Sequence, residues 1–173
     1  MKVRLICILV AAIFLSYSFR YSHYLIDNHK NTIINCDSTP ALNQDIIAYV
    51  NKHIKRTVGR GECWDLAAEP LNELGATWDK NYNYGMKVNY KTDCIYPGDI
   101  IQFEGVFIKT KKGNMTITSV MDHHTAIVYE VKDIGKYVIA HQNTSDFGRK
   151  VGLSELDLSN IQKGRFTIYR PYK

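Results

Sequence analysis

Gly59 and Gly61 bracket Arg60 just ahead of Glu62-Cys63-Trp64-Asp65-Leu66-Ala67-Ala68, and this stretch restricts the backbone more than any other. Two glycines so close favour a tight turn with positive φ. The apolar spacing that follows predicts a helix opening at Cys63, running through Leu74 and stopping at Gly75. A thiol at that point meets unpaired backbone N–H groups and the positive end of the helix dipole, both of which favour thiolate. Cys63 is therefore a candidate nucleophile, set against the commoner fate of a lone cysteine as a buried core thiol. Pro70 falls inside this helix and predicts a kink or a separate first segment.

Lys2 and Arg4 precede an apolar run from Leu5 to Leu15, the order of a secretory signal, with Ser16-Tyr17-Ser18 as a small-x-small cleavage site. Residues 1–20 are thus read as a signal peptide. The alternative is a short membrane anchor, although Arg20 ends the run short of the roughly 20 apolar residues a span needs. Residues 21–37 read as a linker and residues 38–173 as one domain of a secreted or periplasmic protein, with membrane contact only if the first segment is retained. Of four cysteines, loss of Cys7 leaves Cys36, Cys63 and Cys94, so one thiol stays free or pairs between chains. A Cys36–Cys94 bridge would staple the linker to the domain and leave Cys63 as that thiol.

The net charge of +5 is spread over single or paired lysines and arginines, with no basic run interleaved with aromatics. That excludes nucleic acid as an expected partner and is compatible with an anionic polymer such as cell wall. Pro40 and the spacing of Leu42, Ile46, Ile47, Val50 and Ile54 predict a first helix ending near Arg56, with proline at its first position. Residues 77–92 lack a period and predict a long loop. Strands follow at Ile100–Phe103, Val106–Ile108 and Met115–Thr118, in an antiparallel meander, and Gly164–Arg170 closes the sheet. Residues 151–158 read as an irregular or helical segment.

Asp122-His123-His124-Thr125-Ala126-Ile127-Val128 and Tyr137-Val138-Ile139-Ala140-His141-Gln142-Asn143 read as two strands joined at Asp133-Ile134-Gly135. Such a hairpin brings His124 beside His141 or Asn143. Period-two alternation groups Ile139, His141 and Asn143 on one face, taken as the face that packs on the helices, with Gln142 and His123 on the other. A histidine near Cys63 would decide its reactivity: an adjacent imidazolium lowers a thiol pKa by several units, whereas a helix terminus contributes only about 0.3–1 kcal/mol. A third polar group would orient that imidazole.

Cys63 after a Gly-x-Gly turn, Pro97-Gly98-Asp99-Ile100-Ile101, His124-Thr125-Ala126-Ile127-Val128 and His141-Gln142-Asn143 together resemble the CHAP amidases and the related NlpC-type cysteine peptidases, from about Ala41 to Pro171. The resemblance implies an α+β, reduced papain-like fold, with helices carrying the cysteine against a small antiparallel sheet. It implies hydrolysis of an amide bond, in a peptidoglycan stem peptide or its muramoyl linkage, through a thioacyl intermediate and without a cofactor. Carried over by motif, Cys63 is the nucleophile, His124 the general base and acid, and His141 the orienting residue, where CHAP proteins usually have glutamate. Asn143 matches the asparagine that often ends the CHAP motif, and Asp122 or His123 could compete for the role of His124, although His123 falls on the opposite face by alternation. Other readings stay open: a transferase, a catalytically silent binding or immunity-type module, or a zinc protein using Cys63, His124 and His141. A monomer is expected.

Overall fold

The computed structural model describes Cys36 and residues 38–173. The expected signal segment and nearly all of the linker lie outside the described residues. Among the described residues no helix is long and apolar enough to cross a membrane.

Two helices pack on a six-stranded, wholly antiparallel sheet, an α+β arrangement. Helix α1 spans Ala41–His53 and buries Leu42, Ile46 and Val50. It begins one residue later than expected, with Pro40 as its N-cap, and ends before Arg56. Ile54 leaves the helix because it forms a bridge with Val151, whose carbonyl accepts from the Lys55 N–H at 2.9 Å. Helix α2 spans Cys63–Glu73 and buries Leu66, Ala67, Ala68, Pro70 and Leu71.

Pro70 corrects the expectation of a split helix: α2 runs as one segment through it. The proline removes one donor, to the Leu66 carbonyl a turn earlier, and its own carbonyl still accepts from Leu74 at 2.9 Å. Burial of the Leu66, Ala67 and Leu71 row outweighs that loss.

The strands are β1 (Met86–Val88), β2 (Ile100–Lys112), β3 (Met115–Asp133), β4 (Lys136–His141), β5 (Gly152–Asp157) and β6 (Ile161–Arg170), in the spatial order β1-β6-β2-β3-β4-β5. Strands β2 to β4 form the expected meander, and β5 extends it. Strand β6 departs from it, crossing back to lie between β1 and β2. Four segments differ from their expected form for one reason, pairing with a neighbour already in the sheet, and the first is Ile100–Lys112, one strand where two were expected. The 77–92 loop contributes β1 by pairing with β6, and residues 152–157 become a strand against β4, followed by a 3-10 turn at Leu158–Asn160. Residues 115–133 form a single strand.

The sheet separates two apolar clusters. One joins Leu66, Ala67 and Leu71 of α2 to Tyr84, Ile100, Ile127 and Ala140; the other holds Ile101, Phe103, Val128, Tyr137, Ile139, Leu156 and Ile168. Ile127 and Ala140 thus face the helices, and Ile139 faces away. This reverses the expected faces of β4, because both of its rows are apolar enough to be buried and small Ala140 is the one that accommodates a helix.

Asp99 and Arg170 tie the turn before β2 to the end of β6. The Asp99 carboxylate is fully buried and accepts from Arg170 Nε at 3.2 Å and Nη2 at 2.9 Å, from Asn43 at 2.8 Å and from the Tyr96 N–H at 2.9 Å. Arg170 also donates to the Cys94 carbonyl. Gly98 beside it has φ +89°, and a Cβ there would lie 2.5 Å from the Asn43 carbonyl oxygen, so only glycine brings the turn this close to α1.

Cys36 and Cys94 form a disulfide across 58 residues of sequence, and Cys63 is the free thiol among the described cysteines. Loop-closure entropy of that length is worth about 2–4 kcal/mol. Reduction, or the Cys36→Ser/Cys94→Ser variant, is expected to lower the unfolding free energy by that amount, read from the urea midpoint and m-value together. An unchanged midpoint would contradict a stapling role.

Candidate active site

The turn that delivers Cys63 is organised by Asp65. Its Oδ2 accepts from the Arg60 N–H at 2.7 Å and the Glu62 N–H at 3.3 Å, and its Oδ1 pairs with the Arg60 guanidinium at 2.8 Å. Burial alone would raise the Asp65 carboxyl, but these hydrogen bonds hold it below the ordinary carboxylate value. Gly59 has φ +55°, and a Cβ on it would come within 2.8 Å of Asp65 Cβ.

Gln142, the weaker candidate of the 141–143 motif by alternation, locks the same turn from the other side. It is fully buried, accepts from the Val58 N–H at 3.1 Å and donates to the carbonyls of Val58 at 2.9 Å and Glu62 at 2.7 Å. Asn143 lies beyond the end of β4 with φ +60°, exposed, and donates to Glu62 Oε2 at 2.6 Å. The strand alternation that grouped Asn143 with His141 therefore fails at that residue. A glutamine within a motif of this kind is the one signal that could have marked Gln142 as a buried brace.

The Cys63 thiol is half-buried against the edge of β3, with Sγ 4.0 Å from the His123 carbonyl oxygen. Val128 directs its N–H and C=O to Asp99 and Gly98 ahead of β2, so by alternation His123 and Thr125 direct theirs to the outer side. Strand β4 pairs with β3 only from Ile127 onward, and α2 brings Cys63 to the place where β4 would otherwise continue. Burial pushes the thiol pKa up, opposed by the backbone N–H groups of Thr125, Trp64 and Cys63 itself. The helix start alone therefore does not hold this sulfur as thiolate.

His124 and His141 meet on the sheet face away from the helices. Their Nε2 and Nδ1 atoms are 3.2 Å apart, and His141 Nε2 lies 2.9 Å from Ser154 Oγ. The His124 ring stands beside Phe103 and the His141 ring beside Phe147. Burial lowers the His124 pKa to about 4; burial and the neighbouring His124 lower that of His141 to about 3. Both rings are neutral at pH 7. In one proton order His124 donates to His141 and His141 donates to Ser154, which leaves His124 Nδ1 as a free base.

His123 occupies the opposite face, half exposed, with Nδ1 2.9 Å from Glu104 Oε2 and Tyr82 edge-on at 4.2 Å. Trp64 donates to the Asn81 carbonyl at 2.6 Å and contacts Trp78, so the 77–85 loop is an aromatic wall on this side. Tyr84 is buried in it, bonded to Thr125 at 2.9 Å and to Gln102 at 3.3 Å. Among the described residues no group of three or more His, Cys, Asp or Glu side chains is arranged to hold a metal ion.

The lowered histidine pKa values carry a sign. Below the unfolded value of 6.5 the unfolded chain takes up protons that the folded rings refuse, so stability falls as pH drops from about 6.5 toward 4 for His124 and toward 3 for His141. Each ring contributes up to roughly 1.4 kcal/mol per pH unit in that window. Urea unfolding of wild type against a His124→Gln/His141→Gln variant isolates this slope. Identical slopes would show that the rings are not held neutral.

A family model described as the AIM3/BBC1 cysteine proteinase-fold domain matches residues 39–173. The chain belongs to this family. The AIM3/BBC1 match makes the architecture a cysteine proteinase fold, the coarser part of what the sequence resemblance implied. The chain is 26% identical to altered inheritance of mitochondria protein 3 of Debaryomyces hansenii, over 91% of this chain and 20% of that protein. It thus spans a fifth of the length of this curated relative. Two solved structures are also similar. "The crystal structure of Ly7917" has a TM-score of 0.44 at 17% identity, over 73% of this chain and 62% of that one. "The crystal structure of Ly7917 with the hydrolyzing product of MDP" has a TM-score of 0.45 at 18% identity, over 75% and 63%.

Proposed function

We propose that this domain is a cysteine hydrolase that cleaves an amide bond through Cys63, with His124 as base and His141 as its positioning residue. The observation that carries the reading is that the Cys63 thiol lies 4.0 Å from the backbone carbonyl of His123, next in the chain to His124, whose ring meets His141 and, through it, Ser154. With both rings neutral and the thiol raised, the resting state is thiol and imidazole. Attack then moves the thiol proton to His124 Nδ1 as sulfur bonds to the carbonyl carbon. The Cys63 N–H, one of the unpaired donors at the start of α2, faces the developing oxyanion. Collapse breaks the C–N bond, His124 returns its proton to the leaving amine, and water resolves the thioester with His124 again as base.

The CHAP and NlpC resemblance makes a peptidoglycan stem peptide the first substrate to test, and export by residues 1–20 would deliver the enzyme to it. The test is mass spectrometry of digests of purified peptidoglycan and of free peptides. New amine and carboxylate ends should appear with wild type and with His123→Ala, and vanish with Cys63→Ala and His124→Ala. Products that persist in Cys63→Ala would refute the assignment. A second reading, a silent domain on the same fold, is favoured by the raised thiol and by the contact of Sγ with a carbonyl oxygen. It predicts no product from any of these substrates.

A further inference from the structure

Strand β3 is 19 residues long, yet β4 covers it only from Ile127 onward. Among the described residues no strand pairs with Met115–Ala126 on the side away from β2. Residues 115–120 are exposed, including Met115 at 68%, Ile117 at 45% and Val120 at 63%. The two-residue turn Gly113-Asn114 makes Lys112 and Met115 the hydrogen-bonded closing pair, so Thr116, Thr118 and Val120 direct their N–H and C=O groups outward; Gly105, with φ +60°, and Asp122 drop out of the β2–β3 pairing, and the alternation changes phase there before His123 and Thr125. This is a long open edge of the kind natural sheets usually blunt. It leads along the same strand to the His123 carbonyl beside Cys63.

We propose that this edge binds an extended acidic peptide segment as an added strand. Only extended backbone can satisfy a row of alternating donors and acceptors, and exposed apolar side chains at intervals give alternate residues of the guest something to pack on. The charge of the ribbon selects the guest. Residues 105–121 contain no aspartate or glutamate. Lys109 and Lys111 are exposed on β2, with Lys163 and Arg165 exposed on β6 beyond it. These cations lie one and two strands in from the edge and act through their field: a second copy would bring two basic ribbons together, whereas a glutamate-bearing strand is attracted. Binding stands without the hydrolase reading; that the bound segment is presented to Cys63 rests on it.

The test is fluorescence anisotropy of a labelled peptide alternating glutamate with valine, titrated with the Cys63→Ala protein so that no turnover intervenes. Binding should weaken with added salt, and be lost when alternate amides of the peptide are N-methylated or glutamate is replaced by lysine. Thr118→Pro removes an outward N–H without touching a bond to β2, a position where an edge strand tolerates proline, and should weaken binding about tenfold or more. Circular dichroism confirms that this variant folds, and Lys109→Glu/Lys111→Glu gives an independent loss. Unchanged affinity in both variants would overturn the proposal, as would concentration-dependent dimerisation abolished by Thr118→Pro, which would assign the edge to self-pairing. If the peptide binds but wild-type Cys63 is unreactive, the hydrolase reading alone falls. If Cys63 is reactive and the peptide does not bind, the edge proposal alone falls.

Discussion

Cys63→Ala is expected to abolish amide cleavage, and His124→Ala to lower kcat/KM by about 10²–10⁴-fold, the usual worth of a positioned base. The two losses should not add, since a base without its nucleophile has nothing to activate. His141→Ala acts through His124 and should lower kcat while leaving KM nearly unchanged. His123→Ala should retain most of the activity, because its ring is held by Glu104 and Tyr82 and makes no bond to His141 or Ser154 among the described residues. The measurement is single-turnover cleavage with each purified variant. Equal losses in His123→Ala and His124→Ala would remove the basis for distinguishing the two rings.

Arg170→Ala is expected to destabilise the fold by about 3–5 kcal/mol, the cost of leaving a buried charge without its partner. Asp99 would keep only the Asn43 amide and the Tyr96 N–H. Burial already raises the Asp99 carboxyl even with Arg170 beside it, and loss of the guanidinium would raise it further. A raised carboxyl costs stability as pH rises through the unfolded carboxylate range and above, so the deficit of the variant should shrink toward acid pH. Arg170→Ala/Asp99→Asn should recover part of the loss. Urea unfolding at several pH values tests both statements, and a deficit under about 1 kcal/mol would place the pair among ion pairs of little consequence.

The local elements were legible in the sequence where one residue type forces the backbone. Gly59 and Gly61 turn the chain into a helix that does begin at Cys63, and Ile134-Gly135 does close the β3–β4 hairpin. What failed was the choice between two faces. Tyr137, Ile139 and His141 alternate with Val138, Ala140 and Gln142, and only the shape of α2 decides which row it covers. Tertiary pairing likewise turned residues 152–157 and 86–88 into strands that have no strong period of their own. Within the site, the His124–His141 approach follows from hairpin geometry, whereas the neutral state of both rings follows from burial, which composition does not reveal.

The rate of iodoacetamide alkylation at Cys63, read by mass spectrometry in wild type, His123→Ala and His124→Ala, tests the central claim most directly. A thiol raised by burial and assisted by a neutral imidazole should label at pH 7 in wild type and His123→Ala, and about tenfold or more slowly in His124→Ala. Equal rates in all three proteins would show that His124 does not act on Cys63 and that the domain is a silent form of the fold.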